Sequence, residues 1–346
     1  MDQETAKKLL VEGGTFVFLG VPQETQFGID MQCWNTEEDF RGIKMIPPGL
    51  HYVHYSAVSK ETGDISPRSG FMHYFDKKEF VVKMWDKKLE DISKDEISEE
   101  SIQRLKDNLL NIDKHLAPYP YEIWQKWKQL SSQITAELAQ KLSPLNGLIR
   151  ASVDLLPMRF TEIPKEKYPP GSTPGEITKH YLDQTYSLDL MIAQHDEPLH
   201  IIGELQFTYL CFLIGHSLEA FEHWKNLVIL LCSCDKAILK YRNVYFNFIK
   251  TIETQIDEMP GDFLADIVMN KNVIYKKLRY FFRTVFVNKK KIDGQLLSLI
   301  VRFIENLTQK LKWDFTGLND YEEDEKPVLV LFDDFVAIDE HCILSL

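Results

Sequence analysis

The chain has 346 residues, of which 44% are hydrophobic and 12% aromatic, and its 40 basic and 52 acidic side chains leave a net charge of -12 at pH 7. So much apolar material excludes a disordered chain, and the length exceeds what one hydrophobic core usually organises, so two domains are expected. The acidic balance argues against a nucleic-acid binder that draws its affinity from phosphate neutralisation.

A short amphipathic helix, "ETAKKLLVEG", comes first. It is followed by β-branched and aromatic runs broken by glycine and proline: "TFVFLGVP", "FGID", "HYVHYSAV", "GFMHYF" and "EFVVKMW". Short strands divided by turn residues about every ten positions predict a mainly β first ninety residues, an antiparallel sandwich or barrel-like sheet. From Ser93 the chain turns acidic and helical. Ile102, Leu105, Leu109, Ile112 and Leu116 recur at spacings of three and four, and Trp124, Trp127, Leu130, Ile134 and Leu138 mark a second helix.

Residues 143 to 172 are rich in proline and lack a period, which predicts an extended connection between domains. It ends at a capping box, with Thr173 as N-cap, Pro174 in the first turn and Glu176 three residues after the cap. Helical periods then dominate over 173 to 194, 200 to 215, 217 to 233, 236 to 257, 261 to 269, 272 to 287 and 292 to 312. "IIGELQFTYLCFLIG" is apolar nearly all round and is expected to be the central buried helix. "PGD" at 260 to 262 reads as a helix start, and "NKKKIDG" at 288 to 294 as a solvated loop.

The expected organisation is therefore α+β: an N-terminal β-rich domain with two trailing helices over 1–142, a linker over 143–172, an α-helical superhelical domain over 173–315, and an acidic spacer with a strand-forming tail over 316–346. The tail "VLVLFDDFVAI" needs a partner for its apolar side chains. It either docks on its own sheet or adds a strand to another protein.

Cys33, Cys211, Cys232, Cys234 and Cys342 are odd in number and scattered, three of them in apolar surroundings. Buried free thiols in a reducing compartment are expected. "CSC" at 232 to 234 lacks a second cysteine pair, and residues two apart on a helix diverge by roughly 200°. The N-terminus has no apolar core of signal-peptide length, and the longest apolar stretches fall short of the roughly 20 residues that cross a bilayer. A soluble intracellular protein is expected.

Two stretches invite a catalytic reading. In "MIPPGLHYVHYSAV" at 45 to 58, His51 and His54 point to opposite sides of a strand and cannot close on one metal, so a sheet with one mixed face is expected, launched by a turn at Pro47, Pro48 and Gly49. In "HSLEAFEHW", helical spacing puts His216, Glu219 and His223 on one face. That makes a metal-dependent hydrolase the alternative function, although no second Glu-x-x-His helix accompanies it and ordinary ion pairs around a buried Trp224 are favoured. No phosphate-binding glycine loop and no nucleophile elbow is present.

Several segments in this order, "FGIDMQCW", "FRGIKMIPPGLHYVHYSAV", "PYPYEIWQKW", "TPGEITKHYLDQTYSLD", "GELQFTYLCFLIGHSLEAFEHWKNLVILLC", "PGDFLADIV" and "LKWDF", resemble those of the A-one cistron-splicing factor family, the AAR-two proteins. The resemblance covers nearly the whole chain. It implies a β-rich N-terminal domain, a linker and a VHS-like helical domain, with no catalytic residue, metal or cofactor. It further implies a U-five snRNP assembly chaperone for pre-mRNA splicing, found in cytoplasm and nucleus. Such a chaperone binds the Prp-eight scaffold through its RNase H-like and Jab-one/MPN domains and blocks premature binding of the Brr-two helicase. Direct contacts to nucleic acid or membrane are not implied. The family's tail adds β structure between the two partner domains, and the matching strand-formers here are Val328, Leu329, Val330, Leu331, Phe332, Phe335, Val336 and Ile338.

Overall fold

The apolar runs of the first ninety residues fold as strands in a computed structural model that describes residues 2–59, 61–151, 156–260 and 273–318. Helix α1 (Gln3–Glu12), capped by the Asp2 carboxylate accepting from the Thr5 N–H, precedes β1 (Gly14–Leu19), β2 (Gln26–Ile29), β3 (Gln32–Asn35), β4 (Gly42–Ile46), β5 (Gly49–Ser56), β6 (Ser69–Phe75), β7 (Phe80–Asp86) and β8 (Asp91–Ile92). Next come α2 (Glu99–Asp107), α3 (Leu109–Ile112), β9 (Leu116–Pro118), α4 (Trp124–Ser131), α5 (Ala136–Leu142) and β10 (Ile149–Arg150). Among the described residues the strands form two five-stranded sheets, ordered β8-β7-β1-β4-β9 and β10-β6-β5-β2-β3.

The two sheets face each other across an aromatic core. Phe16 stacks on Phe27 with ring centroids 6.0 Å apart, and Phe18 meets both Tyr55 and Trp85 at 5.8 Å. The second sheet is antiparallel as expected, but the first is mixed: β1 pairs parallel with β7, and β4 parallel with β9. Parallel partners need long crossovers. Here β7 arrives after the excursion through the other sheet, and β9 after the two acidic helices.

The predicted helix through Leu116 stops short. After α3 a 3-10 turn covers Asp113–His115, and Leu116 enters β9 opposite Gly42. The second predicted helix breaks between α4 and α5, yet Trp127, Leu130, Ile134 and Leu138 all remain buried across the break. Where it is described, the predicted connection over 143 to 172 is extended but not detached. Ile149 pairs with Gly70 in the second sheet and is fully buried, and Thr161 is also buried.

Helix α6 (Pro174–Leu182) opens where the capping signal lies, with the Glu176 carboxylate accepting from the Thr173 N–H and hydroxyl, both at 2.8 Å. It is followed by α7 (Thr185–Ile192), α8 (His200–Leu213), α9 (Leu218–Cys232), α10 (Ala237–Lys240), α11 (Arg242–Glu258), α12 (Val273–Val287) and α13 (Gly294–Leu311). Every residue of α8 from Ile201 to Phe212 is buried, as an all-round apolar helix requires. Lys289, Lys290 and Lys291 are exposed in the turn before α13. The expected helix over 261 to 269, its start at Asp262 and the tail strand lie outside the described residues. No helix among the described residues is long and apolar enough to cross a membrane.

A second and larger core joins the β5–β6 sheet to the helices. It contains Leu50 and Tyr52 of β5, Trp127 and Leu130 of α4, and Leu205 and Leu210 of α8. Trp127 donates its indole N–H to the Leu50 carbonyl at 2.6 Å, and Arg68 donates to the Ile214 carbonyl at 2.8 Å. Because helices cover its second face, β5 is buried from Leu50 to Ser56, and the expected mixed face is not found.

Candidate functional site

The three residues of the hydrolase alternative do not meet. Helix α9 begins only at Leu218, with Ser217 as the N-cap, and His216 precedes it at φ 57° in the left-handed region. It is therefore off the helical face that the spacing assumed. His216 Nε2 lies 3.4 Å from the Arg68 guanidinium, whereas His223 Nε2 lies 2.8 Å from Glu204 Oε1 on α8. Trp224 is buried and donates to Gln255 Oε1 at 2.9 Å. Among the described residues no group of three or more His, Cys, Asp or Glu side chains is placed to hold a metal ion.

Glu204 is the hub of that neighbourhood. Its buried carboxylate accepts from the Thr161 N–H at 2.8 Å, the Thr161 hydroxyl at 2.6 Å and His223 Nε2 at 2.8 Å, and it pairs with His195 Nε2 at 3.2 Å. Burial alone pushes this carboxyl up, but the hydrogen bonds from His195 and His223, with Thr161, hold it down at about 2. With its lone pairs occupied, it has no capacity left for a substrate proton. Phe160 stacks on His223 with centroids 4.5 Å apart, so the segment around Thr161 is clamped to α8 and α9. A lone carboxylate inside the apolar run "IIGELQF" was the sequence signal for this cluster, since a buried charge requires partners.

The two histidines of β5 point to opposite sides, yet both bond to Asp30. His51 Nδ1 is 2.7 Å from Asp30 Oδ2, while His54 Nε2 is 3.2 Å from the Asp30 carbonyl. Asp30 also accepts from the Tyr119 hydroxyl at 2.6 Å and the Tyr52 N–H at 2.9 Å. Burial, with Arg68 nearby, lowers His54 to about 3 and keeps it neutral. Its ring lies over Gly28, where a Cβ would come within 2.2 Å of Cε1. The proline turn serves this cluster too: Gly49 takes φ 137°, and the Pro47 carbonyl lies 2.7 Å from His51 Nε2. These are structural histidines.

Cys211, Cys232 and Cys234 are buried and free, and burial raises all three thiols. A protonated thiol is a poor nucleophile and a poor metal ligand. Cys33 is free and exposed, with its thiol also raised by burial of the sulfur, and Cys342 lies outside the described residues. The tail residues Val328, Leu329, Val330, Leu331, Phe332, Phe335, Val336 and Ile338 lie outside them as well.

The carboxylates at the centre of both polar clusters thus take their hydrogen bonds from within the chain, in a β-rich lobe with its own aromatic core and a helical lobe whose core reaches β5. Comparison with known proteins places this architecture. Residues 12–144 match the model of the AAR2 N-terminal domain and residues 160–316 that of the AAR2 C-terminal repeat region. The chain is 35% identical to the protein AAR2 homolog of Homo sapiens over 375 aligned residues, covering 95% of this chain and 96% of that protein. It is 34% identical to the Mus musculus homolog over the same shares and 30% identical to the Caenorhabditis elegans homolog, covering 88% and 95%. The chain belongs to the AAR2 family, an identity that supports a splicing-related factor.

Proposed function

We propose that this chain is a non-enzymatic assembly chaperone of the U-five snRNP, acting in cytoplasm and nucleus. It holds the Prp-eight scaffold through the RNase H-like and Jab-one/MPN domains of that protein and keeps the Brr-two helicase from joining early. The observation that carries the reading is the match to both AAR2 models along nearly the whole chain. The mechanism needs no cofactor: a bound chaperone occupies surface that the helicase would otherwise use. Two lobes joined by a core cluster that reaches from the helices into β5 suit such a role, because a rigid body holds two partner domains at a set separation at low entropic cost.

In this reading the tail donates a strand. Alternate side chains, Val328, Val330 and Phe332 or Leu329 and Leu331, enter pockets while the backbone hydrogen-bonds to the partner. Deleting residues 327–346 and measuring binding to each isolated partner domain tests this. Weakened binding to both domains is expected, and unchanged binding to both removes the tail from the mechanism. Val330→Asp places a charge in the proposed strand and should weaken bridging in the same assay.

A further inference from the structure

A cleft of about 460 Å³ opens where α4 of the β-rich lobe meets α11 and α13 of the helical lobe. Lys128 and Ser132 line it from α4 and its end, Lys250, Thr251 and Glu253 from α11, and Arg302 from α13. Its one lining carboxylate, Glu253, is already engaged by Arg302 at 3.4 Å and by Asn306. The Lys128 ammonium lies 5.7 Å from the Trp124 ring centroid and that of Lys250 4.4 Å from Phe246, and neither has a carboxylate partner among the described residues. Nearby lysines do: Lys126 pairs with Glu258 at 2.8 Å and Lys310 with Asp257 at 2.6 Å.

The buried wall of the cleft carries a second, independent signal. Gln206 of α8 is buried, and its Nε2 donates to Ser132 Oγ at 3.2 Å and to Thr251 Oγ1 at 3.3 Å. Both hydroxyls therefore act as acceptors, each keeps a proton to donate, and neither finds an acceptor for it among the described residues. Thr251 is only 5% exposed, so its undirected proton costs free energy until an acceptor arrives. Arg302 also has N–H groups beyond the one that meets Glu253. Two ammonium groups, a guanidinium and two hydroxyl protons thus converge as donors from three helices, with no open acceptor charge among them.

We propose that this cleft binds a small soluble phosphate, whose oxygens take those donors. A carboxylate offers two oxygens in one plane, whereas a phosphoryl group turns oxygens in every direction, as donors arriving from three helices require. The volume lies in the range of small-ligand sites, and the net charge of -12 disfavours a long polyanion. Held across α4, α11 and α13, the phosphate ties the two lobes together and stabilises the folded chain by mass action.

Equilibrium dialysis of the full chain against radiolabelled pyrophosphate at low salt tests the site. Saturable binding of one equivalent per chain is expected, weakened at least ~10-fold by Lys250→Gln or Lys128→Gln, the loss of a charge-assisted contact. Thr251→Val should weaken it as well, with circular dichroism confirming the fold. Lys310→Gln, which removes a lysine already paired with Asp257, should bind as the parent does. Pyrophosphate should raise the thermal midpoint of the parent and not that of Lys250→Gln. Absence of saturable binding below ~1 mM, binding undiminished in both lysine variants, competition by citrate as effective as by unlabelled pyrophosphate, or binding of a single-stranded oligonucleotide in place of pyrophosphate would overturn the proposal.

Discussion

Asp30 and His51 stand 2.7 Å apart with both side chains fully buried, and the other nitrogen of the ring faces the Pro47 carbonyl at the same distance. The pair joins the turn after β2, the proline turn before β5 and, through the Tyr119 hydroxyl, the segment leading into α4. It therefore ties the sandwich to the helix that carries Trp127 into the larger core. Asp30→Ala leaves His51, Tyr119 and the Tyr52 N–H without their acceptor, and should cost about 3–5 kcal/mol. The midpoint of guanidinium unfolding measures it, and a loss below ~1 kcal/mol would show that water replaces the carboxylate.

Glu204 predicts a pH dependence. Its carboxyl is held at about 2 in the folded chain, below the ordinary value of ~4.3 expected when unfolded. A depressed folded value contributes stability in full above the unfolded value, and that contribution is lost as pH falls through about 2. Urea midpoints recorded from pH 6 down to ~2.5 should fall across the lower part of this range, and Glu204→Gln should remove that component of the slope. Equal slopes in the two proteins would place the acid sensitivity elsewhere.

Glu204→Ala should also release the Thr161 segment before the core yields. Arg159 lies beside it, its Nε donating to the Ser143 carbonyl at 2.7 Å. Trypsin cleavage after Arg159 should accelerate at denaturant concentrations where the helices remain intact by circular dichroism. Cleavage at the parent rate would mean that Phe160 stacking alone holds the segment.

His216→Gly should be neutral or stabilising by up to ~1 kcal/mol, because glycine takes the left-handed conformation without the steric cost of a Cβ. A metal-ligand role would predict the reverse. Thermal melts with and without a chelator separate the two, and a midpoint that drops on chelation in the parent and not in the variant would revive the metal reading.

Gly203→Ala on α8 should destabilise by ~1–3 kcal/mol, since the added Cβ would approach the Gln133 carbonyl to 2.3 Å and the Leu138 side chain to 2.5 Å. Both neighbours belong to the turn and helix that join the two lobes. Loss of cooperativity between the lobes, read as separation of tryptophan fluorescence and circular dichroism transitions, is the signature to look for.

The elements that fold by local pattern were legible in the chain alone. Runs of β-branched and aromatic residues broken by turn residues marked β1, β5, β6 and β7, the Thr173–Glu176 pair marked the start of α6, and an unbroken apolar surface marked α8 as central, because strand-forming runs, turn residues and capping chemistry depend on neighbours a few residues away. The acidic balance was likewise plain from composition.

The pairing of β9 and β10 into the two sheets, the burial of both faces of β5 and the pairing of Glu204 with Thr161, His195 and His223 were decided only in three dimensions. The pairings join residues from 9 to more than 70 positions apart, and no helical or strand period records them. The same holds for the histidines that first invited a catalytic reading. Spacing along a helix placed His216 with His223, but the chain turns left-handed before Ser217, and a carboxylate from the neighbouring helix takes His223 instead.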